Sequence, residues 1–137
     1  MCSCNQSKPD TYYARIFARV YNPIMKGIEK KVLAARRRQL LSNLKGTILE
    51  VGAGTGINLD LYPTQSKVIA CEPSTAMLEY AKEKVKKSAL SNIQLIHAGI
   101  GDEALAMHVP EGGFDAIVCT LVLCTIPDPE AALNDLK

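Results

Sequence analysis

The segment that most constrains this fold runs from Glu50 to Gly56, with the sequence Glu-Val-Gly-Ala-Gly-Thr-Gly. It follows the apolar pair Ile48-Leu49, so a short strand is predicted to lead directly into a loop with glycines at alternate positions. Glycine has no Cβ, so its backbone can adopt positive φ and approach a ligand closely. An acidic residue and a glycine loop at the end of a strand indicate a nucleoside-binding pocket.

The rest of the chain alternates between strand and helix patterns. Helices are predicted to begin at Asn58, after Ser74 and at Pro129, where Ser74 and Asp128 are N-caps. The strand predictions are Thr47–Val51, Lys67–Cys71, Ile93–Ile96 and Phe114–Leu123. The last of these is almost wholly apolar, which predicts burial on both faces. This order predicts an open α/β sheet that binds ligands at the carboxyl ends of its strands.

The region before the first strand has a different pattern. Residues 1–10 are predicted to be a disordered tail, and residues 11–44 to be helical with a break near Asn22-Pro23. The second helical piece ends at Gly46. Its apolar stripe is predicted to oppose the basic residues and consists of Val32, Leu33, Leu40 and Leu44.

Composition bounds the class of protein. The chain has 137 residues, of which 47% are hydrophobic and 22% charged, as in a single globular domain. No apolar run reaches the roughly 18 residues of a membrane span, and the first ten residues do not resemble a secretory signal. We therefore expect a cytoplasmic protein whose five cysteines stay reduced.

Charge gives one further indication. The net charge of +2 is too small to argue for nucleic acid, and we expect no nucleic-acid partner. Residues 26–45 carry seven basic side chains against Glu29 alone. This run is interpreted either as a solvated helix face or as a contact with an anionic lipid surface or an acidic partner.

The spacing of the glycine loop separates the classes of cofactor. A dinucleotide fingerprint requires its third glycine one position later, where this chain has Ile57, and a phosphate-binding P-loop requires a lysine that is missing here. Glu72 follows the second strand, 20 residues beyond Gly52. A carboxylate at that place can accept hydrogen bonds from both hydroxyls of a ribose.

These residues resemble the class I methyltransferases that use S-adenosylmethionine. Ile48–Gly56 is similar to their first motif, and Glu72-Pro73-Ser74 with Met77-Leu78 to their second. Gly113–Cys119 resembles the fourth-strand motif, and the resemblance covers about residues 45–137. Within the class, Cys119–Cys124 is similar to a branch that includes ubiquinone-type, phospholipid and alkyl-thiol methyltransferases.

The resemblance implies an S-adenosylmethionine site. Glu72 would hold the ribose, and residues 100–102 would reach the adenine amino group. Thr120-Leu121 would run alongside the cofactor. Glu50 would hydrogen-bond loop amides or the methionine moiety. The residues implied to bind the cofactor are Glu50, Gly52, Gly54, Gly56, Asn58, Glu72, Pro73, Ile100, Gly101, Asp102, Thr120 and Leu121.

The resemblance also implies a Rossmann-like domain over residues 11–137, with a helical lid over 11–45 and a cofactor-binding part over 46–137. Three tyrosines of the first helical region either form that lid or simply pack: Tyr12, Tyr13 and Tyr21. The family's sheet has seven strands, and this sequence ends before the turn to the fifth. We expect the C-terminal strands to be missing, as in a truncated product or fragment. The alternative is a partner chain or swapped dimer that covers the open edge.

The remaining reactive residues are interpreted as structural. His97 and His108 are more typical of structural histidines than of a catalytic base, and no catalytic residue is assigned. Three cysteines on or beside apolar strands are expected to pack as small hydrophobes: Cys71, Cys119 and Cys124. Cys2-x-Cys4 could bind a soft metal, but a flexible tail is preferred and no metal site is predicted.

Three hypotheses follow. The first is a methyltransferase that uses S-adenosylmethionine and a lipid-like, quinone-like or thiol acceptor. The second is a non-catalytic module that binds the cofactor or a partner. The third is a nicotinamide oxidoreductase, which Ile57 disfavours.

Overall fold

The computed structural model describes Gly27 and residues 33–136. Within that part the chain forms a parallel sheet of four strands in the order β3-β2-β1-β4. The strands are β1 Thr47–Val51, β2 Lys67–Cys71, β3 Ile93–Ile96 and β4 Ala116–Cys119. β1 lies between β2 and β4, and its Glu50 is paired with Ala70 on one side and Val118 on the other. The predicted open, parallel, Rossmann-like α/β sheet is confirmed.

Four α-helices accompany these strands in the described residues: α1 Ala34–Leu41, α2 Thr75–Lys87, α3 Glu103–Ala106 and α4 Pro129–Asp135. Both predicted N-caps are confirmed. Ser74 Oγ accepts from the Met77 amide at 3.4 Å, and Asp128 Oδ1 accepts from the Ala131 amide at 3.0 Å. Each cap satisfies one of the amides that a helix leaves unpaired at its start.

The hydrophobic core has two layers, one on each face of the sheet. Successive side chains of a strand point to opposite faces, so Ile48 and Glu50 share one face of β1 while Leu49 and Val51 share the other. Ile48 packs with Leu41 of α1, with Ala81 of α2 and with Leu59 of the turns after β1. Leu49 and Val51 pack with Ile69, Cys71 and Leu105 of α3. Glu50 is therefore directed into the layer that α1 and α2 cover.

The fourth strand is shorter than predicted and is not buried on both faces. It ends at Cys119, and its Ile117 is 40% exposed. β4 is the edge of the described sheet, so it lacks the second neighbour that would bury it. The chain leaves the sheet at Leu121, whose φ of 55° is incompatible with a strand. A 3₁₀ turn over Leu123–Thr125 follows.

The predicted helix that begins at Asn58 is wrong. Residues 54–61 form consecutive turns, in which the Leu59 amide donates to Gly56 O at 3.2 Å and the Leu61 amide to Asn58 O at 2.8 Å. These bonds span three residues, as in a 3₁₀ helix. Pro63, which lacks an amide proton, leaves too little chain for a regular helix.

Helix α1, which corresponds to the second predicted helical piece, also differs from its prediction. It ends at Leu41 rather than Gly46, and Leu40 is 71% exposed. Arg37 and Leu41 are buried, because residues four apart lie on the same face of a helix and that face is turned to the core. The predictions for residues 1–26 and 28–32, which include Val32, lie outside the described residues.

Helix α2 ends in a Schellman motif. The Leu90 amide donates to Val85 O at 3.1 Å and the Ala89 amide to Lys86 O at 3.3 Å. This arrangement requires a left-handed residue, and Ala89 has a φ of 49°.

We expect Ala89→Gly to raise the free energy of unfolding by about 1 kcal/mol, because glycine adopts positive φ without a steric penalty. Urea denaturation of this variant and of Ser88→Gly measures the effect. Ser88 is exposed and has a φ of −93°, so glycine there should destabilise the chain slightly. Equal changes at both positions would contradict this interpretation.

The described helices are all too short or too polar to cross a membrane.

Candidate functional site

The glycine loop lies where β1 ends, and its three glycines have different environments. All three have positive φ, at 67° for Gly52, 57° for Gly54 and 81° for Gly56. A Cβ on Gly56 would lie 2.8 Å from Leu59 Cδ1, so this glycine allows close packing beneath the loop. A Cβ on Gly52 would collide with the side chain of Val122. Among the described residues, a Cβ on Gly54 would meet only Met77 Sδ, at 3.8 Å. The space above Gly54 is therefore open.

Glu72 connects the glycine loop to the beginning of α2. Its Oε2 accepts from the Gly54 amide at 2.8 Å and its Oε1 from the Ser74 amide at 2.8 Å. Glu72 is buried and only 6% exposed. An ionised carboxylate offers about four lone-pair positions on its two oxygens. Glu72 can therefore hold the loop and still accept from a ligand's hydroxyl groups.

Glu50 lies in a buried polar network below the loop. Its Oε1 accepts from Asn58 Nδ2 at 2.7 Å, and the same Nδ2 lies 3.2 Å from Thr120 Oγ1 of the segment after β4. Asn58 Oδ1 accepts from a guanidinium nitrogen of Arg37 at 2.7 Å. Arg37, Glu50 and Asn58 are each less than 10% exposed. This network connects α1, β1, the turns after the loop and the end of β4.

Burial raises the pKa of Glu50 to about 7. The hydrogen bond from Asn58, the hydroxyl of Tyr62, and the positive charges of Arg37 and Lys84 all lower this pKa, but less than burial raises it. Tyr62 interacts with the carboxylate without reaching hydrogen-bond geometry, so Glu50 Oε2 and Tyr62 Oη have no hydrogen bond within the described part of the chain. A buried carboxylate oxygen of this kind remains available to a donor from a ligand.

A small polar cavity brings five of the implied cofactor residues together. Its volume is about 30 Å³, close to that of one water molecule. The implied residues that line it are Glu50, Gly52, Gly54, Asn58 and Thr120. Arg37 lines it as well, although the sequence did not assign it to the site. Glu72 joins this group through its bond to Gly54, and Gly56 lies beneath the loop.

The residues implied to contact adenine lie apart from that cavity. Ile100, Gly101 and Asp102 line a larger cavity of about 440 Å³ on the opposite face of the sheet, together with Leu49 and Leu136. Asp102 Oδ2 accepts from the Gly99 amide at 2.6 Å. A Cβ on Gly99 would lie 3.9 Å from Pro73 Cβ, so this segment adjoins the residue after Glu72. Leu121, 51% exposed, lines neither cavity.

Sequence reasoning missed two residues of the network. Arg37 belongs to a run of three arginines, and only its spacing of four from Leu41 indicated that it faces the core. Tyr62 is a large side chain followed by Pro63 in a region of turns, where no periodicity indicates burial. Both residues enter the site through tertiary packing of α1 and the turns against β1.

The histidines and cysteines do not form a reactive cluster in the described residues. His97 Nε2 lies 2.9 Å from Pro73 O and 3.3 Å from Thr75 Oγ1, and His108 Nδ1 lies 3.2 Å from Gln94 Nε2. Cys71 packs in the core, where burial raises its pKa to about 11, and burial also raises the pKa of Cys119. Cys124 is exposed, contrary to the prediction that it packs. No group of three metal-ligating side chains occurs in residues 33–136.

Sequence comparisons identify relatives of this chain. A family model described as "Methyltransferase domain" matches residues 48–137. The human thiol S-methyltransferase TMT1A is 29% identical over 134 residues, which cover 91% of this chain and 50% of the relative. The phosphatidylethanolamine N-methyltransferase of Cereibacter sphaeroides is 29% identical over 109 residues, which cover 77% of this chain and 52% of the relative. The chain thus spans about half the length of these curated relatives.

Solved structures have the same fold. A putative S-adenosyl-L-methionine-dependent methyltransferase from Methanococcus maripaludis matches with a TM-score of 0.75 at 16% identity, over 96% of this chain and 61% of that one. The N-terminal domain of EvdMO1, solved with S-adenosylhomocysteine bound, matches with a TM-score of 0.61 at 25% identity, over 75% of this chain and 44% of that one. The predicted family is confirmed by the family match, and this chain belongs to the methyltransferase-domain family.

Proposed function

We propose that this chain is the cofactor-binding part of an S-adenosylmethionine-dependent methyltransferase that modifies a small thiol-like, lipid-like or quinone-like molecule. The observation that carries this proposal is the open space above Gly54, next to a buried Glu72 carboxylate bonded to the Gly54 amide. The family match and the S-adenosylhomocysteine bound to the EvdMO1 domain support it.

The residues present fit such a cofactor. A carboxylate in the place of Glu72, beside the Gly54 amide, can accept from ribose hydroxyls, and the positive φ of Gly54 lets a nucleoside approach the peptide groups. The buried Glu50 Oε2, which has no hydrogen bond in the described part of the chain, suits a cationic donor such as the methionine ammonium group. Residues 100–102 line the separate cavity, and the approach of Gly99 to Pro73 is the observation that supports their implied contact with the adenine. The cofactor itself supplies an electrophilic methyl group on a sulfonium with a neutral leaving group.

The task of this chain's own residues would be binding and orientation. Holding reactants in a reactive geometry can contribute on the order of 7–11 kcal/mol to catalysis. The buried loop and the network of Glu50, Asn58 and Arg37 provide a rigid frame for that purpose. A base is needed only for an acceptor that carries its proton at working pH, and we assign none.

The acceptor class is proposed from the relatives. One similar protein is named a thiol S-methyltransferase and another a phosphatidylethanolamine N-methyltransferase. A cytoplasmic location and peripheral membrane contact through residues 26–45 remain predictions. Arg36, Arg38 and Lys45 are exposed and available for such a contact, whereas Arg37 is turned inward.

Transfer of a labelled methyl group from S-adenosylmethionine to a panel of alkyl thiols, phosphatidylethanolamine vesicles and quinols tests the activity. The assay should include this chain and a version extended to the length of its relatives. Product from one acceptor class would support the proposal. No product from either version, despite cofactor binding, would favour the second candidate function.

That second candidate is a binding module without catalysis, either of cofactor or of a partner. The open edge of β4 favours it, because an unpaired apolar edge strand can pair with another chain. Light scattering coupled to size-exclusion chromatography tests the partner form. A stable monomer would contradict pairing between copies at that edge.

We expect Glu72→Ala to weaken S-adenosylhomocysteine binding by roughly 1–3 kcal/mol, the cost of removing a charged hydrogen-bond partner. The change removes both the ribose acceptor and the bond that holds the Gly54 amide. Calorimetry measures the affinity, and Glu79→Ala on the exposed face of α2 is the control. Equal affinity of Glu72→Ala and wild type would contradict the assignment of Glu72.

A further inference from the structure

Arg37 is a buried cation in a helix that precedes the α/β part of the chain. It is 7% exposed, whereas its neighbours Arg36 and Arg38 are exposed. Its guanidinium donates to Asn58 Oδ1 at 2.7 Å, and it lines the same small cavity as the glycine loop. A single helix residue thus reaches the buried polar network below the glycine loop.

The bond from Arg37 determines which way the Asn58 amide faces. A guanidinium can only donate, so it must meet the amide oxygen, and the amide nitrogen is then directed to Glu50 and Thr120. Without Arg37, the amide could rotate and place its oxygen against the Glu50 carboxylate. That orientation would replace a hydrogen bond with repulsion between two acceptors.

Charged and titratable groups act on Glu50 from three elements of the described chain. Arg37 comes from α1, Tyr62 from the turns after the loop and Lys84 from α2. Arg37 acts on Glu50 in two ways: it orients the Asn58 amide, and its own charge favours the carboxylate form. Both actions oppose the effect of burial, which raises the pKa of Glu50 to about 7.

We propose that Arg37 is a positioning residue of this site, which acts through Asn58 to orient Glu50 and keep it charged for a cationic ligand. Helix α1 thereby becomes part of the binding machinery as well as a cover for the core. The consequence for affinity rests on the proposed function, whereas the consequence for Glu50 itself does not.

The direct test is a pH titration of the ligand-free protein. The ¹³C shift of the Glu50 side-chain carboxyl group, assigned by its loss in Glu50→Gln, gives the midpoint. We expect Arg37→Met to raise that midpoint by about one pH unit or more, as expected for loss of a neighbouring opposite charge. Arg37→Lys, which retains the charge, should shift it less than half as far, and Arg36→Met should not shift it. An unchanged midpoint in Arg37→Met would overturn the proposal.

Affinity provides a second readout. Calorimetry with S-adenosylhomocysteine should give binding about tenfold weaker for Arg37→Met than for wild type at pH 6.5, since one pKa unit corresponds to a factor of ten. The difference in affinity between Arg37→Met and wild type should be smaller at pH 9. A loss of the same size at both pH values would indicate a merely structural role and overturn the proposal.

Two outcomes separate this inference from the proposed function. If wild type does not bind the ligand at either pH, the proposed function fails, and the carboxyl titration still decides the role of Arg37. If Arg37→Met does not fold, Arg37→Gln, which keeps a donor toward Asn58 but loses the charge, replaces it in both measurements.

Discussion

Glu50→Gln is expected to stabilise the ligand-free chain at pH 8 by about 3 kcal/mol and to weaken its binding of S-adenosylhomocysteine. The stabilisation follows from the pKa of Glu50, which is about 7 in the folded chain against the ordinary value of 4.5. Each pH unit between these values corresponds to 1.36 kcal/mol of free energy. Glutamine is neutral and can still accept from Asn58, so it removes the buried charge without removing the hydrogen bond.

The sign of the pH dependence is fixed by the same difference. Below pH 4.5, Glu50 is protonated in both the folded and the unfolded chain, and its ionisation costs nothing. As the pH rises from 4.5 to about 7, the unfolded chain loses this proton first, so the free energy of unfolding of wild type falls. Above pH 7, Glu50 is ionised in the folded chain as well, and the full cost of its buried charge lowers the free energy of unfolding. Glu50→Gln should therefore equal wild type near pH 4.5 and exceed it at pH 8.

Urea denaturation at the two pH values measures this effect, and Glu103→Gln on the exposed start of α3 is the matched control. The control should show no such gain at pH 8. If Glu50→Gln were less stable than wild type at pH 8, the buried carboxylate would be stabilising the fold, and the interpretation of Glu50 as a residue kept for binding would be wrong.

Gly54→Val is expected to abolish detectable S-adenosylhomocysteine binding while leaving a folded chain. Gly54 has a φ of 57°, which is strained for a β-branched residue by about 1–2 kcal/mol. Its new side chain would meet only Met77 Sδ among the described residues, so it would extend into the space proposed for the nucleoside.

Gly113→Val separates backbone strain from loss of the site. Gly113 has a φ of 78° in the turn before β4, with no described atom within 4 Å of an added Cβ. Both variants should lose similar stability in thermal denaturation, but Gly113→Val should bind the ligand like wild type. Equal binding by wild type and Gly54→Val would show that the nucleoside does not lie above this loop.

The strands that position the site could be predicted from the sequence almost to the residue. β1, β2 and β3 are short apolar segments bounded by glycine, proline or polar residues, and each is stabilised by a neighbouring strand. The N-caps Ser74 and Asp128 act within three residues of the chain, so local sequence is sufficient to predict them.

Features that depend on tertiary contacts could not be predicted in the same way. The length of β4 depends on which strands lie beside it, and the apolar pattern of residues 114–123 carries no such information. The four-residue helix α3 is too short to show a helical period. Arg37 is buried and Leu40 is exposed, the reverse of the prediction. A buried arginine requires a partner, and this partner, Asn58, lies 21 residues away in the sequence.

Isothermal titration of wild type with S-adenosylhomocysteine, compared with NADH, decides which cofactor the glycine loop binds. We expect saturable binding of one S-adenosylhomocysteine per chain and much weaker binding of NADH, because Ile57 occupies the position of the third dinucleotide glycine. No saturable heat at millimolar S-adenosylhomocysteine, or tighter binding of NADH, would contradict it.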